Sequence, residues 1–117
     1  MEIGVDIVEI ARIRAVYERS GKAFMNKVLT AAEIEQCLAK PDPAVSLAGR
    51  FAAKEAISKA LGSGIGHKLG WHSIEVLNNE AGKPEVTLHA PHLSYRVSIS
   101  ISHDRHSAVA MALVQPL

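Results

Sequence analysis

An α+β fold, with a mainly antiparallel β-sheet packed against one long central helix, is predicted by three features of this 117-residue sequence. The N-terminus alternates as a strand does, with β-branched Ile3, Val5 and Ile7 on one parity. Asp42-Pro43 and Gly62 bracket a long run of helix formers. Beyond Ser73 the chain breaks into short β-branched runs separated by turn residues.

Taken in order, Glu2 to Ile10 reads as the first strand, and its second face sets Asp6 among Gly4, Val8 and Ile10. The stretch through Val28 is helical in composition and basic: Arg12, Arg14, Arg19, Lys22 and Lys27 stand against only Glu18. A short helix follows, opened by Thr30 and Glu33 at capping-box spacing and closed near the Pro-Asp-Pro of Pro41 to Pro43. In the long helix Asp42 is the N-cap and Pro43 the first helical residue, and Gly62 or Gly64 supplies the stop. Strands are expected at Ser73 to Leu77 and Pro84 to His89 around the turn-rich NNEAGK, then at Tyr95 to Ser102 and His106 to Val114 around Asp104-Arg105. The last of these is apolar on both parities and is expected to be buried on both faces.

Composition narrows the function classes. Hydrophobic residues at 48% and charged residues at 21% indicate one globular domain over residues 1–117. Aromatics at 4% and a net charge of +1 disfavour a base-stacking nucleic-acid module. A single Cys37 forms no internal disulfide, and no Cys/His set has zinc spacing. The acidic MEIGVDIVEI start lacks a signal peptide's features, and no apolar run reaches membrane-spanning length, so a soluble cytoplasmic protein is expected.

Charge interrupts the long helix where apolar residues are expected. With Leu47 at zero, Phe51 falls at roughly 40°, Ala48 at roughly 100° and Ile57 at roughly 280°, so Glu55 at roughly 80° and Lys54 at roughly 340° lie inside their arc. On a plain surface helix both would pack their stems and keep their heads in water, with Lys59 pairing Glu55 one turn on. Asp6 opens another reading. A carboxylate inside a strand is costly if buried. Asp6 is either at the strand's exposed end or capping a neighbouring backbone, or, if that strand packs on the helix, it converges with Glu55 into a two-carboxylate magnesium site of the kind used with phosphate substrates. GSGIG, at a helix C-terminus, suits a capping turn better than a phosphate loop. His103 ends a strand and is either structural or a phosphate or proton contact; His67, His72, His89, His92 and His106 show no ligand spacing.

GVDIVEIARIR, FAAKEAISKALGSGIG and SISHD together closely resemble the holo-acyl-carrier-protein synthases, the short bacterial phosphopantetheinyl transferases. The pattern G-x-D, F-x-x-K-E-A-x-x-K-A with G-x-G, and S-I-S-H falls on Gly4 to Asp6, Phe51 to Ala60 with Gly62 and Gly64, and Ser100 to His103. AGKP, Ala81 to Pro84, matches a common turn of that family. The resemblance implies transfer of phosphopantetheine from coenzyme A to a serine of an apo carrier protein, releasing adenosine bisphosphate. It further implies Mg2+ held by Asp6 and Glu55, a homotrimer with each coenzyme A site between subunits, and an acidic acyl carrier protein docked on the basic first helix. Under it Lys59 faces the departing bisphosphate and Glu55 is the leading candidate to accept the serine proton. Arg50, Lys54 and His103 are expected to contact coenzyme A phosphates, Gly64, Lys83 and Pro84 to shape the nucleotide pocket, and Arg12, Arg14 and Arg19 to form the carrier patch. Two rival readings use the same residues: another magnesium-dependent phosphotransferase or nucleotide hydrolase, and a non-enzymatic carrier-binding module. No nucleic-acid or membrane partner is expected.

Overall fold

A computed structural model of the chain describes residues 1–62, 64–65, 69–90 and 94–117; Ser63 and Gly66 of the GSGIG turn, with His67 and His92, lie outside them. The elements are β1 (Glu2–Glu9), α1 (Ile10–Val28), α2 (Ala31–Leu38), α3 (Pro43–Leu61), a 3-10 turn at Trp71–Ser73, β2 (Ile74–Asn78), β3 (Pro84–Leu88), β4 (Tyr95–His103) and β5 (Ser107–Pro116). The α+β class and the antiparallel pairing are as the sequence predicts. The strands form two sheets rather than one: β1-β5-β4 with β5 in the centre, and a β2-β3 hairpin.

Turn chemistry explains the two hairpins. Asp104 Oδ1 accepts from the backbone N–H of His106 and Ser107, closing the β4–β5 turn. Asn79 Oδ1 accepts from Ala81 and Lys83 in the β2–β3 turn, where Gly82 takes a φ of 85°. Thr30 and Glu33 form the expected capping box on α2. Gly62, at φ 77°, ends α3 in the left-handed region.

α3 lies in the middle of the molecule. Leu47, Ala48, Ala52, Ala53, Ala56 and Ile57 are all fully enclosed, so the helix has no solvent face over its central turns. On one side it meets the inner face of the three-stranded sheet, where β5 presents Ala108, Ala110 and Ala112. Such small residues bring helix and sheet close. The limit is reached at Gly4 of β1, where a Cβ would drive into the Ala56 carbonyl oxygen and sit 2.8 Å from Ala60 N. Glycine at this position is what lets β1 lie against α3.

One expectation needs correcting. β5 is buried on one face only: Met111 is 50% exposed, beside Ile3 at 63%, Val5 at 55% and Ile7 at 68% on β1. Two apolar parities therefore do not mean two covered faces within this chain. The basic helix is not straight, for Ser20 leaves helical geometry (φ −141°, ψ 36°) just before Gly21, a Ser-Gly pair of the kind that kinks helices.

Candidate active site

The close approach of β1 to α3 carries Asp6 to the helix turn that bears Glu55 and Lys59. Lys59 Nζ donates to Asp6 Oδ1 at 2.9 Å and to the Val5 carbonyl at 3.1 Å. Lys59 therefore reaches across to the strand rather than back along its own helix to Glu55. Partial burial pushes the Glu55 carboxyl up from its ordinary value; the nearby Asp6 charge adds to this and Lys59 partly opposes it. The Asp6 hydrogen bond raises the Lys59 ammonium. Two crowded carboxylates with one half-exposed ammonium form a cluster short of positive charge. The donor set suits magnesium, which takes one or two carboxylates and completes its shell with water and substrate phosphate. No group of three or more His, Cys, Asp or Glu ligands occurs among the described residues, so an all-protein cage is not on offer there.

A cleft of about 540 Å³ opens elsewhere on the chain, between the start of α3, the β2–β3 hairpin and the β4–β5 turn. It suits an anion. Lys40, Arg50 and His103 line it against a single acid, Asp42, and Gly82 and Pro84 form the hairpin wall. Arg50 is 4% exposed. Its guanidinium bonds the Val76 carbonyl at 3.0 Å, Ser46 Oγ at 2.6 Å and Gln36 Oε1 at 2.6 Å, leaving two N–H groups uncommitted. Asp6, Glu55 and Lys59 are not part of this lining. One chain thus carries two separate half-sites, a cation-seeking cluster and an anion-receptive cleft.

The expected site residues divide accordingly. Arg50, Pro84 and His103 lie in the cleft lining; Lys83 and Gly64 do not. Gly64, at φ 68°, belongs to the α3 cap, its N–H meeting the Ser58 carbonyl at 3.4 Å. Lys54 is the clearest correction. Its side chain is wholly enclosed, and Nζ donates to the Val28 carbonyl (2.8 Å), Glu33 Oε1 (2.7 Å) and the Trp71 carbonyl (2.9 Å). All three partners are acceptors, so all three ammonium protons are spent and none reaches a phosphate. Burial pushes the Lys54 ammonium down while the Glu33 charge draws it back up.

Sequence reasoning missed Glu33 as that partner. The capping box marked it, but nothing local showed that the same carboxylate also takes the Val76 N–H at 2.7 Å. Arg12 and Arg19 are exposed as a docking patch requires, whereas Arg14 is held by Asp42.

Comparison with known proteins gives one consistent likeness. The family model described as the 4'-phosphopantetheinyl transferase superfamily matches residues 2–114. A curated protein of Chlorobaculum tepidum, named holo-[acyl-carrier-protein] synthase, is 73% identical over 99% of both chains. A crystal structure of a holo-(acyl-carrier-protein) synthase from Bacillus anthracis in complex with CoA (3',5'-ADP) has TM-score 0.86 and 37% identity, covering 99% of this chain and 96% of that one. The Helicobacter pylori holo-[acyl-carrier-protein] synthase in complex with coenzyme A has TM-score 0.88 and 38% identity, covering 97% and 99%.

Proposed function

The chain belongs to the 4'-phosphopantetheinyl transferase superfamily, and from that premise we propose that it transfers phosphopantetheine from coenzyme A to a serine of an apo acyl carrier protein, with Mg2+, releasing adenosine 3',5'-bisphosphate. The observation that carries the reading is the convergence of Asp6, Glu55 and Lys59 from segments far apart in sequence.

In this reaction the serine oxygen forms a bond to the phosphorus bearing the pantetheine arm, and the bond from that phosphorus to the bridging oxygen breaks. That oxygen leaves on the bisphosphate. The task for the protein is positioning and charge neutralisation. Asp6 and Glu55 are the residues that would hold magnesium, which when bound supplies positive charge on the pyrophosphate oxygens. Lys59, with a side chain 54% exposed, is free to swing from Asp6 to the departing phosphate. Glu55 is the proposed acceptor of the serine proton, directly or through a water held at the same site.

The cleft takes the nucleotide end, with Arg50 and His103 toward the phosphates and Pro84 against the base; Lys83, exposed on the same hairpin, stands at its edge. Its separation from Asp6, Glu55 and Lys59 is resolved in a homotrimer, where one subunit's cleft meets its neighbour's carboxylates. The uncovered apolar face of β1 and β5 supports such an assembly. Arg12 and Arg19 offer an acidic carrier its landing surface. A reducing cytoplasm suits the free Cys37, and no helix among the described residues is long and apolar enough to cross a membrane.

The test is chromatographic release of 3',5'-ADP from coenzyme A in the presence of Mg2+. Release should require an apo carrier. Release without any carrier would mark a nucleotide hydrolase, and carrier binding without release would mark a binding module.

A further inference from the structure

We propose that Arg14 is a positioning residue of the nucleotide cleft and not part of the carrier-docking patch: through a two-pronged ion pair it neutralises Asp42, the one acidic side chain among the described residues that line the cleft. The inference rests on the assignment of that cleft to coenzyme A.

The phase of α1 separates Arg14 from the other arginines. Arg12 and Arg19 are seven residues apart and so lie within roughly 20° of each other around the helix, whereas Arg14 is turned roughly 160° away from Arg12. All three precede the kink at Ser20, so the kink does not bring them together. A carrier seated on the Arg12–Arg19 stripe would not meet Arg14.

Arg14 points instead toward α3. Nη1 donates to Asp42 Oδ1 at 2.9 Å and Nη2 to Asp42 Oδ2 at 2.8 Å, the parallel geometry in which a guanidinium matches a carboxylate best. Asp42 is the residue before α3, yet both its carboxylate oxygens are taken by Arg14 and no well-formed cap hydrogen bond reaches them, the Ala44 and Val45 N–H groups adding only a weaker pull. It faces Arg14 at the wall of the cleft that Lys40, Arg50 and His103 make receptive to anions. Without Arg14, Asp42 would present a bare negative charge to the phosphates of the incoming nucleotide. The pairing also holds the Asp42 carboxyl below its ordinary value.

A neutralising role and a bracing role give opposite results in the two single variants. Titration of 3',5'-ADP into the intact protein by calorimetry should show Arg14→Gln weakening binding about fivefold at low salt, an effect that shrinks as salt rises. Asp42→Asn should tighten it, because Arg14 then adds an unpaired positive charge. The double variant Arg14→Gln/Asp42→Asn should return to near the wild-type value. Carrier KM should be unchanged in Arg14→Gln and raised in Arg12→Gln. Equal weakening by Arg14→Gln and Asp42→Asn would show the pair to be only a brace and overturn the proposal. So would a rise in carrier KM for Arg14→Gln with 3',5'-ADP binding intact. If the wild type binds neither 3',5'-ADP nor coenzyme A, the assignment of the cleft fails first, and the role of Arg14 with it.

Discussion

Glu55 sits where a carboxylate is least comfortable, partly enclosed and beside Asp6, with its proton affinity raised as a result. A native-state rise has a definite sign. The stability that Glu55 contributes is complete below its unfolded value of about 4.3 and is lost as pH rises through the higher native value. Glu55→Gln should therefore be more stable than wild type at pH 7 without metal, and the difference should vanish near pH 4; urea unfolding at both pH values checks this. The same variant, and Asp6→Asn, should lose transfer activity by at least about 100-fold while remaining folded. Affinity for divalent cation in the wild type should start to fall, as the solution is acidified, above the pH at which an ordinary carboxylate protonates. Wild-type turnover in either variant would remove the carboxylate pair from the mechanism. These residues were legible in sequence because each stands out locally, a strand aspartate and a helix glutamate where apolar residues are expected.

At the scale of elements, α3 organises the molecule, and its periodicity alone misleads. A wheel assumes one buried arc, but this helix is enclosed by the sheet on one side and by α1, α2 and β2 on the other. Lys54 falls on that second side and ties together the end of α1, the start of α2 and the Trp71 turn. Neither water nor coenzyme A is its destination. Its partner Glu33 lies 21 residues away, which no local pattern reveals. Lys54→Met should cost about 3–5 kcal/mol, since it leaves the Glu33 carboxylate buried and unpaired. Denaturant unfolding measures the loss, and coenzyme A affinity of the folded protein should be unchanged. A large loss of affinity at wild-type stability would return Lys54 to the phosphate contacts. The limits of α3 and of the strands, by contrast, followed from capping and turn residues to within a residue or two, because those interactions are local, whereas α2 stops at Leu38, short of the Pro41 to Pro43 signal.

For the whole molecule, the outer face of the three-stranded sheet is the feature left without a partner among the described residues. Register sets Ile3 beside Leu113, Val5 beside Met111 and Ile7 beside Val109, with Ser98, Ser100 and Ser102 along the β4 margin. The two apolar parities of β5 were plain in the sequence. What a single chain's pattern does not distinguish is cover by its own elements from cover by another copy. If the proposed trimer forms through this face, light scattering should find a trimer for the wild type and a monomer for Ile7→Glu, and transfer should be abolished, although Ile7 points away from the inner face that holds Asp6. A fully active monomer would refute the shared site. The central claim, transfer of phosphopantetheine to a carrier serine, is tested most directly by the intact mass of an apo acyl carrier protein after incubation with the protein, coenzyme A and Mg2+. The account predicts that the carrier gains one phosphopantetheine, and none when its acceptor serine is replaced by alanine. An unchanged mass for every apo carrier supplied, with coenzyme A and Mg2+ present, would contradict it.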